Sequence, residues 1–336
     1  MSNDEHFMRR TLELAVLGRY GVSPNPMVGA VLVRDGQVLA EGWHRRAGEP
    51  HAEVEALCQG PDARGATLYV NLEPCAHHGR TPPCAEALIS AAVKRVVIGM
   101  ADPHDRASGG AEKLRNAGIE VTSGVLENEA RRLNEKFVHA VTTRRPFVLL
   151  KAGMTFDGKL ATVERDSKWI TSPAAREQSL ALREEYDAIV VGGGTVLADD
   201  PQLTRRLGRN DAIQPWLRVV LDADRVVPPS ARVLTDGGAT LHVTHDADLD
   251  ELLPALYARG VQSLIVEGGS MLHSEFLRRR LWQKMIVFMA PAIVGGAMAP
   301  AFYGGEPVKR ISDALRFRFD RFDIVGPDLM ITAYPM

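Results

Sequence analysis

Short apolar segments rich in β-branched residues alternate with helix-like segments along this chain, and the alternation restricts its fold more than any other sequence feature. In the first half, two such segments, 28–33 and 37–42, flank the dipeptide Asp35-Gly36. Asp-Gly between two apolar runs favours a tight turn, so the two segments are predicted to pair as a hairpin. Two further strands are predicted at 66–71 and 95–100, and helical periodicity predicts helices over 6–20, 51–58, 84–92 and 127–141.

Strands that alternate with helices predict an α/β sandwich, in which helices cover a mostly parallel sheet. The polar, Pro-terminated stretch 142–146 interrupts the series, and 336 residues are many for a single core, so we place a domain boundary there. The predicted domains are residues 1–145 and 146–336. In the second domain, buried strands are predicted at 147–151, 188–191, 218–221, 263–266 and 285–289, with helices such as 174–184 between them.

The charge balance and the cysteine content exclude several classes of protein. Because 40 basic residues nearly cancel 42 acidic ones, the chain lacks the general positive field that attracts nucleic acid. Its 3 cysteines do not make a disulfide framework. The N-terminus lacks the order of a signal peptide, and no apolar run approaches the roughly 18 residues that cross a bilayer. We therefore expect a soluble cytoplasmic protein with no nucleic-acid or membrane partner.

Three side chains of the first half form a candidate zinc site: His51, Cys75 and Cys84. Zinc takes imidazole nitrogen and thiolate sulfur readily, and a catalytic zinc keeps its fourth position for water. Cys84 is predicted in the first turn of a helix, whose N-terminus favours a thiolate. Glu53 follows His51 by two residues, where its carboxylate can take a proton from the activated water and pass it to a leaving amine.

The order of these residues is typical of nucleobase deaminases, whose signature is His-x-Glu followed by Pro-Cys and a second cysteine. In this chain the second cysteine follows the first by nine residues instead of three, and we interpret the longer segment as a loop that the metal closes. Cys58, on a predicted helix face, has no such partner and is interpreted as a core residue.

Two glycine-rich segments of the second half follow predicted strands, Gly192-Gly193-Gly194 and Gly268-Gly269-Ser270. Glycine lets a ligand approach the backbone, and the helix N-terminus that follows offers N–H groups to a phosphate. Neither segment completes the G-x-G-x-x-G fingerprint and no Gly-Lys-Ser/Thr is present, so a Rossmann or P-loop fold is not supported. Taken alone, the two segments are equally consistent with tight turns.

Longer strings of the chain resemble the bacterial bifunctional riboflavin-biosynthesis deaminase–reductases. In the first half these are SPNPMVG at 23–29, GEPHAEV at 48–54 and the segment 73–84, whose HHGRTPP insertion the cytidine and tRNA deaminases lack. In the second half the resemblance runs from Pro146 to near the C-terminus and includes GTVLADDP at 194–201. The resemblance implies a cytidine-deaminase-like α/β/α sandwich followed by a dihydrofolate-reductase-like α/β domain, with Zn2+ and NADPH as cofactors.

In the deaminase half the resemblance implies that Asn25 and His44 contact the pyrimidine and that His77 and Arg80 hold the ribose phosphate. These roles suit the side chains, because an amide offers a donor and an acceptor to a base edge and Arg pairs with phosphate. One departure falls here: the family's Asp-Pro-Asn-Pro turn reads Asp-Pro-His-Asp, with His104 in place of the asparagine.

In the reductase half the resemblance implies that Lys151 and Asp199 are catalytic, with Lys151 at the ribose oxygens while hydride reaches C1. Two departures fall near the nucleotide: Arg165 replaces a family glycine, and the family's Ser-Leu-Asp-Gly reads Thr-Phe-Asp-Gly at 155–158. The implied NADPH site comprises Gly153, Trp169, Thr195, Asp199, Gly269, Ser270 and Met271, and the implied substrate site comprises Ser167, Arg183, Leu203, Arg206 and Glu267.

The implied reactions are hydrolytic deamination of 2,5-diamino-6-ribosylamino-4(3H)-pyrimidinone 5′-phosphate and NADPH-dependent reduction of the resulting uracil's ribosyl group to ribityl. The partners are then small pyrimidine ribotides, and the resemblance favours a homo-oligomer. A nucleic-acid deaminase stays open as an alternative, although the charge balance and the inter-cysteine insertion weigh against it. A non-catalytic nucleotide-binding protein is a second alternative, against which the complete set of zinc ligands and Glu53 weigh. The departures at His104 and Arg165 keep open a variant with one activity.

Overall fold

A computed structural model describes residues 2–59, 62–77, 82–104, 109–210, 212 and 215–336. The chain divides into two units, one of residues 1–145 and 209–214, the other of residues 146–208 and 215–336. Each unit has its own sheet and its own apolar core. Among the described residues, every helix is too short or too polar to cross a bilayer.

The first unit is built around a five-stranded sheet of order β2-β1-β3-β4-β5. Its strands are β1 (Gly29–Arg34), β2 (Gln37–Trp43), β3 (Thr67–Leu72), β4 (Arg95–Met100) and β5 (Glu120–Ser123). Its helices are α1 (Asn3–Ala15), α2 (Ala52–Gln59), α3 (Cys84–Ser90), α4 (Gly110–Asn116), α5 (Glu127–Leu133) and α6 (Glu135–Thr143).

Val31 of β1 packs with Phe7 of α1, whereas its neighbour Leu32 packs with Ala56 of α2. Successive strand residues therefore bury opposite faces under helices, and the predicted α/β/α sandwich is confirmed.

The predicted hairpin is confirmed, because β1 and β2 pair antiparallel from Gly29 opposite Trp43 to Arg34 opposite Gln37. Asp35 and Gly36 have φ angles of 52° and 75°, which is the left-handed backbone that a type I′ turn requires. Because β1 is antiparallel to β3 as well, only the pairs β3–β4 and β4–β5 are parallel. This sheet is therefore mixed, and the expectation of a mostly parallel sheet was wrong for the first unit.

The single helix predicted over 127–141 was wrong, since α5 and α6 are separate helices divided at Asn134. Asn134 has φ −101° and ψ 24° and is only 2% exposed. Its side chain hydrogen-bonds the backbone of Met27, which is 107 residues away in sequence. A long-range contact therefore breaks a segment whose local pattern is continuous. Cys58, predicted in the core, is exposed on α2.

The second unit is built around an eight-stranded sheet of order β12-β13-β11-β6-β10-β7-β8-β9. Its strands are β6 (Phe147–Thr155), β7 (Ala188–Gly192), β8 (Leu217–Leu221), β9 (Thr240–Val243), β10 (Ser263–Val266), β11 (Lys284–Ala290), β12 (Phe317–Val325) and β13 (Asp328–Pro335). Its helices are α7 (Pro173–Glu184), α8 (Gly193–Asp199), α9 (Arg232–Thr235), α10 (Leu249–Ala258) and α11 (Ser270–Arg278). The strands from β11 to β9 in this order are parallel, and the C-terminal hairpin adds two antiparallel strands at one edge. All five predicted buried strands lie within the parallel part.

Candidate active sites

The three predicted zinc ligands lie together in the first unit. His51 precedes α2, Cys75 follows the end of β3, and Cys84 is the first residue of α3. Nδ1 of His51 lies 3.2 Å from Sγ of Cys84 and 3.7 Å from Sγ of Cys75, and the three ligand atoms all lie within 4.8 Å of one another. One nitrogen and two sulfurs at this separation suit zinc, and three protein ligands leave a coordination position open, as in catalytic zinc sites.

Close backbone packing brings the ligand-bearing segments together. A Cβ atom on Gly42 of β2 would lie 2.5 Å from the carbonyl oxygen of Ala52, so only glycine lets the start of α2 approach the sheet this closely. The backbone N–H of Ala85 donates to the carbonyl of Cys75 over 3.2 Å, which ties the loop after β3 to the start of α3. The ligands are therefore held by backbone contacts of the elements that carry them.

The electrostatics around the two cysteines favour a thiolate. The Cys84 thiol, the His51 imidazole and the backbone N–H of Cys84 all hydrogen-bond Sγ of Cys75, and they lower the pKa of Cys75 to about 4 although burial opposes them. The neighbouring Cys75 sulfur and burial raise the pKa of Cys84. The negative charge that a cation would bind therefore resides first on Cys75.

Glu53 lies at the same site on the first turn of α2 and is 3% exposed. Burial raises the pKa of its carboxyl, and the neighbouring His51 partly opposes this effect. A buried carboxyl group with a raised pKa holds a proton more readily than an exposed one does. Glu53 thus has both the position and the proton affinity of a proton-transfer group.

A cavity of about 390 Å³ opens onto Glu53 and two of the zinc ligands, His51 and Cys75. Asn25 and His44 line it, with Nδ2 of Asn25 3.0 Å from Nε2 of His44. Nδ1 of His44 lies 3.0 Å from the carbonyl oxygen of Pro50, which can only accept a hydrogen bond, so Nδ1 carries the proton and Nε2 accepts from Asn25. Burial lowers the pKa of His44 and keeps its ring neutral. The volume suits a small-molecule ligand and the lining is partly polar.

His77 lines the same cavity, whereas Arg80, the other residue predicted at the ribose phosphate, lies outside the described residues. His104, the departure from the family pattern, also lines the cavity, so the changed residue faces the same space as Asn25. Its backbone N–H donates to Asp102 over 2.8 Å. The lining residues that the sequence analysis missed include Asp102 and Phe137, and burial raises the pKa of Asp102.

In the second unit, Lys151, Arg183 and Glu267 form one ionic cluster. The sheet register sets Val266 of β10 opposite Leu150 of β6, so the next residues, Glu267 and Lys151, lie side by side. Glu267 accepts from Nζ of Lys151 over 3.3 Å and from Nε and Nη2 of Arg183 over 2.7 and 2.9 Å. Burial raises the pKa of Glu267, but the two cations outweigh it and lower that pKa to about 2.

The N-termini of α8 and α11 lie next to each other and form a cradle for phosphate. A Cβ atom on Gly269 would lie 4.0 Å from Oγ1 of Thr195, and one on Gly194 would meet nothing within 4 Å. Open glycine backbone at two helix starts suits the diphosphate of a dinucleotide, so the residues present fit NADPH. Ser270 donates its hydroxyl to the carbonyl of Ala301, and Met271 is 69% exposed beside it.

The remaining residues of the predicted NADPH site differ in their surroundings. Trp169 is 70% exposed, and the Arg176 guanidinium lies 4.5 Å from its ring centre. Asp199 pairs with Nζ of Lys168 over 3.0 Å, a partner that the sequence analysis missed. A Cβ atom on Gly153 would lie 3.2 Å from Cγ2 of Thr171, so a larger residue would crowd this strand.

Three residues of the predicted reductase substrate site differ in how far they are buried. Leu203 is 3% exposed within the apolar core, Arg206 is exposed, and Ser167 is half-buried. The departure Arg165 has φ 70°, a left-handed conformation that favours glycine. In the altered turn at 155–158, Asp157 accepts from the Thr155 hydroxyl over 2.6 Å.

Two protein-family models match the chain. Residues 146–331 match the model described as the RibD C-terminal domain. Residues 1–100 match the model described as the cytidine and deoxycytidylate deaminase zinc-binding region. The second match contains His51, Glu53, Cys75 and Cys84, and the first contains the ionic cluster and both glycine-rich segments.

Full-length relatives are similar along nearly the whole chain. The riboflavin biosynthesis protein RibD of Aquifex aeolicus is 42% identical over 98% of this chain and 97% of its own. The Escherichia coli RibD is 40% identical over 98% of each chain. Among solved structures, Acinetobacter baumannii RibD has a TM-score of 0.90 at 37% identity over 99% of both chains. A diaminohydroxyphosphoribosylaminopyrimidine deaminase/5-amino-6-(5-phosphoribosylamino)uracil reductase from Thermotoga maritima has a TM-score of 0.90 at 39% identity.

Proposed function

Because the chain belongs to the RibD family of bifunctional riboflavin-biosynthesis deaminase–reductases, we propose that its first unit deaminates the diaminopyrimidine ribotide and its second reduces the product. The observation that carries this assignment is the buried Glu53 beside three zinc-type ligands, in a cavity that also contains Asn25 and His44. The roles of the individual residues follow from their contacts.

In the deamination, the elements of water replace an exocyclic amine, so a C–N bond breaks, a C=O bond forms and ammonia leaves. His51, Cys75 and Cys84 would hold a zinc ion, which would supply a Lewis acid that lowers the pKa of the attacking water. Glu53 takes a proton from the attacking water and delivers it to the departing amine. Its burial supports this role, because a raised pKa lets it do both.

Substrate binding in the first unit falls to the polar groups around the cavity. Asn25, oriented by its hydrogen bond to His44, reads the edge of the pyrimidine. His77 lies in the wall of the same cavity and contacts the ribose phosphate together with Arg80. His104 replaces an amide with an imidazole at the pyrimidine, where it still offers a donor or an acceptor.

In the reduction, the ionic cluster binds and orients the sugar. The glycine-rich starts of α8 and α11 would hold NADPH, which would supply the hydride. Lys151 donates to the sugar oxygen on which negative charge develops as C1 is reduced. Arg206 binds the phosphate, Arg183 holds Glu267 at the substrate site through two hydrogen bonds, and Glu267 fixes Lys151 and accepts from the uracil ring. Asp199 keeps Lys168 beside the nucleotide.

The test follows ammonia release and NADPH oxidation separately, on zinc-replete protein supplied with the diaminopyrimidine ribotide. We expect Glu53→Gln to reduce ammonia release at least about 100-fold, because general acid–base catalysis is worth that much. NADPH oxidation with the deaminated uracil should persist in this variant. Lys151→Met is the matched control and should show the reverse pattern. Wild-type protein that releases no ammonia, or a Glu53→Gln variant with normal release, would contradict the assignment.

The homo-oligomer that the family resemblance favours is proposed to form through β12. This strand pairs with β13 alone among the strands that the structure describes, which makes it a sheet edge. Phe319, Phe322 and Ile324 are 56%, 54% and 78% exposed along it. Charges of both signs, Arg318, Asp320, Arg321 and Asp323, accompany them. A long apolar edge with self-complementary charges suits pairing with a second copy of the chain.

A further inference from the structure

The wall of the deaminase cavity extends beyond the part of the chain that the zinc-binding family model covers. That model ends at residue 100, yet Phe137 of α6 lines the same cavity as His51, Glu53 and Cys75. Asn134 lies immediately before α6, one helical turn from Phe137. The start of α6 therefore contributes to a cavity whose zinc-binding motif, from His51 to Cys84, lies entirely before it in the sequence.

Asn134 binds the backbone of the segment that carries Asn25. Its Oδ1 accepts from the N–H of Met27 over 2.8 Å, and its Nδ2 donates to the carbonyl oxygen of Met27 over 2.9 Å. The Asn134 side chain thus satisfies both backbone polar groups of Met27, the N–H and the carbonyl. Because Asn134 is 2% exposed, water does not replace these bonds when they are lost.

A second buried amide, Asn71, binds the same segment. Nδ2 of Asn71 in β3 donates to the carbonyl of Met27 over 3.0 Å, and its Oδ1 accepts from the N–H of Gly29 over 2.8 Å. Residues 25–28 precede β1 and have no sheet ladder of their own. Buried backbone groups need partners, so the two amides take the place of a neighbouring strand.

We infer that Asn134 is a positioning residue of the deaminase site, which acts through Met27 on Asn25, and that Phe137 forms the apolar wall against the flat face of the pyrimidine. The inference rests on the proposed role of Asn25 at the base. The α6 start is then a substrate-recognition element that the shared zinc-binding region does not contain. Disruption of the α6 start is therefore expected to weaken substrate binding and to leave zinc content and proton transfer unchanged.

The experiment measures KM and kcat of deamination for Asn25→Ala, Asn134→Ala and the double variant, with zinc content and NADPH oxidation determined on the same samples. We expect Asn134→Ala to raise KM about tenfold while zinc content and NADPH oxidation stay at wild-type values. The double variant should be within about twofold of Asn25→Ala alone, because residues that act through one another are not additive. Phe137→Leu should raise KM without altering zinc content.

Two controls separate positioning from general destabilisation. Asn134→Asp keeps the size and the acceptor for the Met27 N–H but sets a buried carboxylate oxygen against the Met27 carbonyl, so its KM should be at least as high as that of Asn134→Ala, whereas a role in packing alone would leave KM near the wild-type value. Val97→Ala, in the core of the same unit, should lower the melting temperature and leave KM unchanged.

The outcomes distinguish failure of the proposed function from failure of the roles inferred for Asn134 and Phe137. Absence of ammonia release by the wild type overturns the proposed function and this inference with it. A KM that rises in Asn25→Ala but not in Asn134→Ala, or effects that multiply in the double variant, overturn only the positioning role of Asn134. A wild-type KM in Phe137→Leu overturns the role of its ring.

Discussion

Glu267 is a buried carboxylate that two cations hold in its charged form. Its pKa of about 2 lies below the ordinary value of 4.5, so the folded protein binds fewer protons here than the unfolded chain does. The stability from this ionic cluster is therefore complete above pH 4.5 and is lost as the pH falls toward about 2. We expect this group alone to remove about 2 kcal/mol from the unfolding free energy of the second unit between pH 5 and pH 3.

Urea denaturation of the second unit at several pH values measures this loss, with Glu267→Gln as the comparison. The variant carries no titrating group at this position, so its stability should fall by about 2 kcal/mol less over the same interval. Equal slopes in the two proteins would show that Arg183 and Lys151 do not hold Glu267 ionised.

The β1–β2 hairpin tests how far a local turn stabilises the first unit. Gly36 has φ 75°, and a Cβ atom there would meet nothing within 4 Å, so a side chain at this position changes the backbone energy without a clash. Gly36→Ala should therefore lower the unfolding free energy of the first unit by about 1 kcal/mol. Asp35→Asn is the matched control and should cost almost nothing, since asparagine tolerates positive φ. An unchanged urea midpoint in Gly36→Ala would contradict the type I′ assignment.

The elements most visible in the sequence were those whose signal is local. Ser263–Val266 and Arg95–Met100 are continuous apolar runs in the interior of their sheets, and both strands were predicted with their observed bounds. The zinc ligands were equally visible, because two short segments contain all three. Phe137 and Asn134 were not, because their contacts lie far away in sequence and the helix pattern around them is continuous.

Elements with exposed surfaces were also missed. The β12 segment alternates apolar and charged residues at 317–320 and 322–324, but none of its positions is buried, so its alternation does not mark a core face. The short helix α4 and the edge strand β5 gave no clear period either. Strands of this kind are fixed by pairing with a neighbour, which single-sequence patterns do not contain.

At the scale of the whole molecule, the exposed β12 edge predicts self-association. Phe322→Asp places a charge among the exposed rings of Phe319 and Phe322, whose centres are 5.1 Å apart, and should shift the protein toward a monomer. Sedimentation equilibrium measures the shift. Leu17→Asp, at a similarly exposed apolar residue of the first unit, is the control and should leave the mass unchanged. A wild-type monomer, or an oligomer that Phe322→Asp does not weaken, would contradict the role of β12.

The parallel arrangement of β6, β10 and β7 has a practical consequence for attaching reporter groups. The carboxyl ends of neighbouring parallel strands lie at the same edge of the sheet. Lys151 and Glu267, 116 residues apart, therefore meet at that edge, where α8 also begins. The amino ends of the same strands lie at the opposite side of the sheet. Arg259, exposed in the turn before β10, is at that side. A fluorophore or spin label at Arg259 would therefore report on the second unit from the side away from its chemistry.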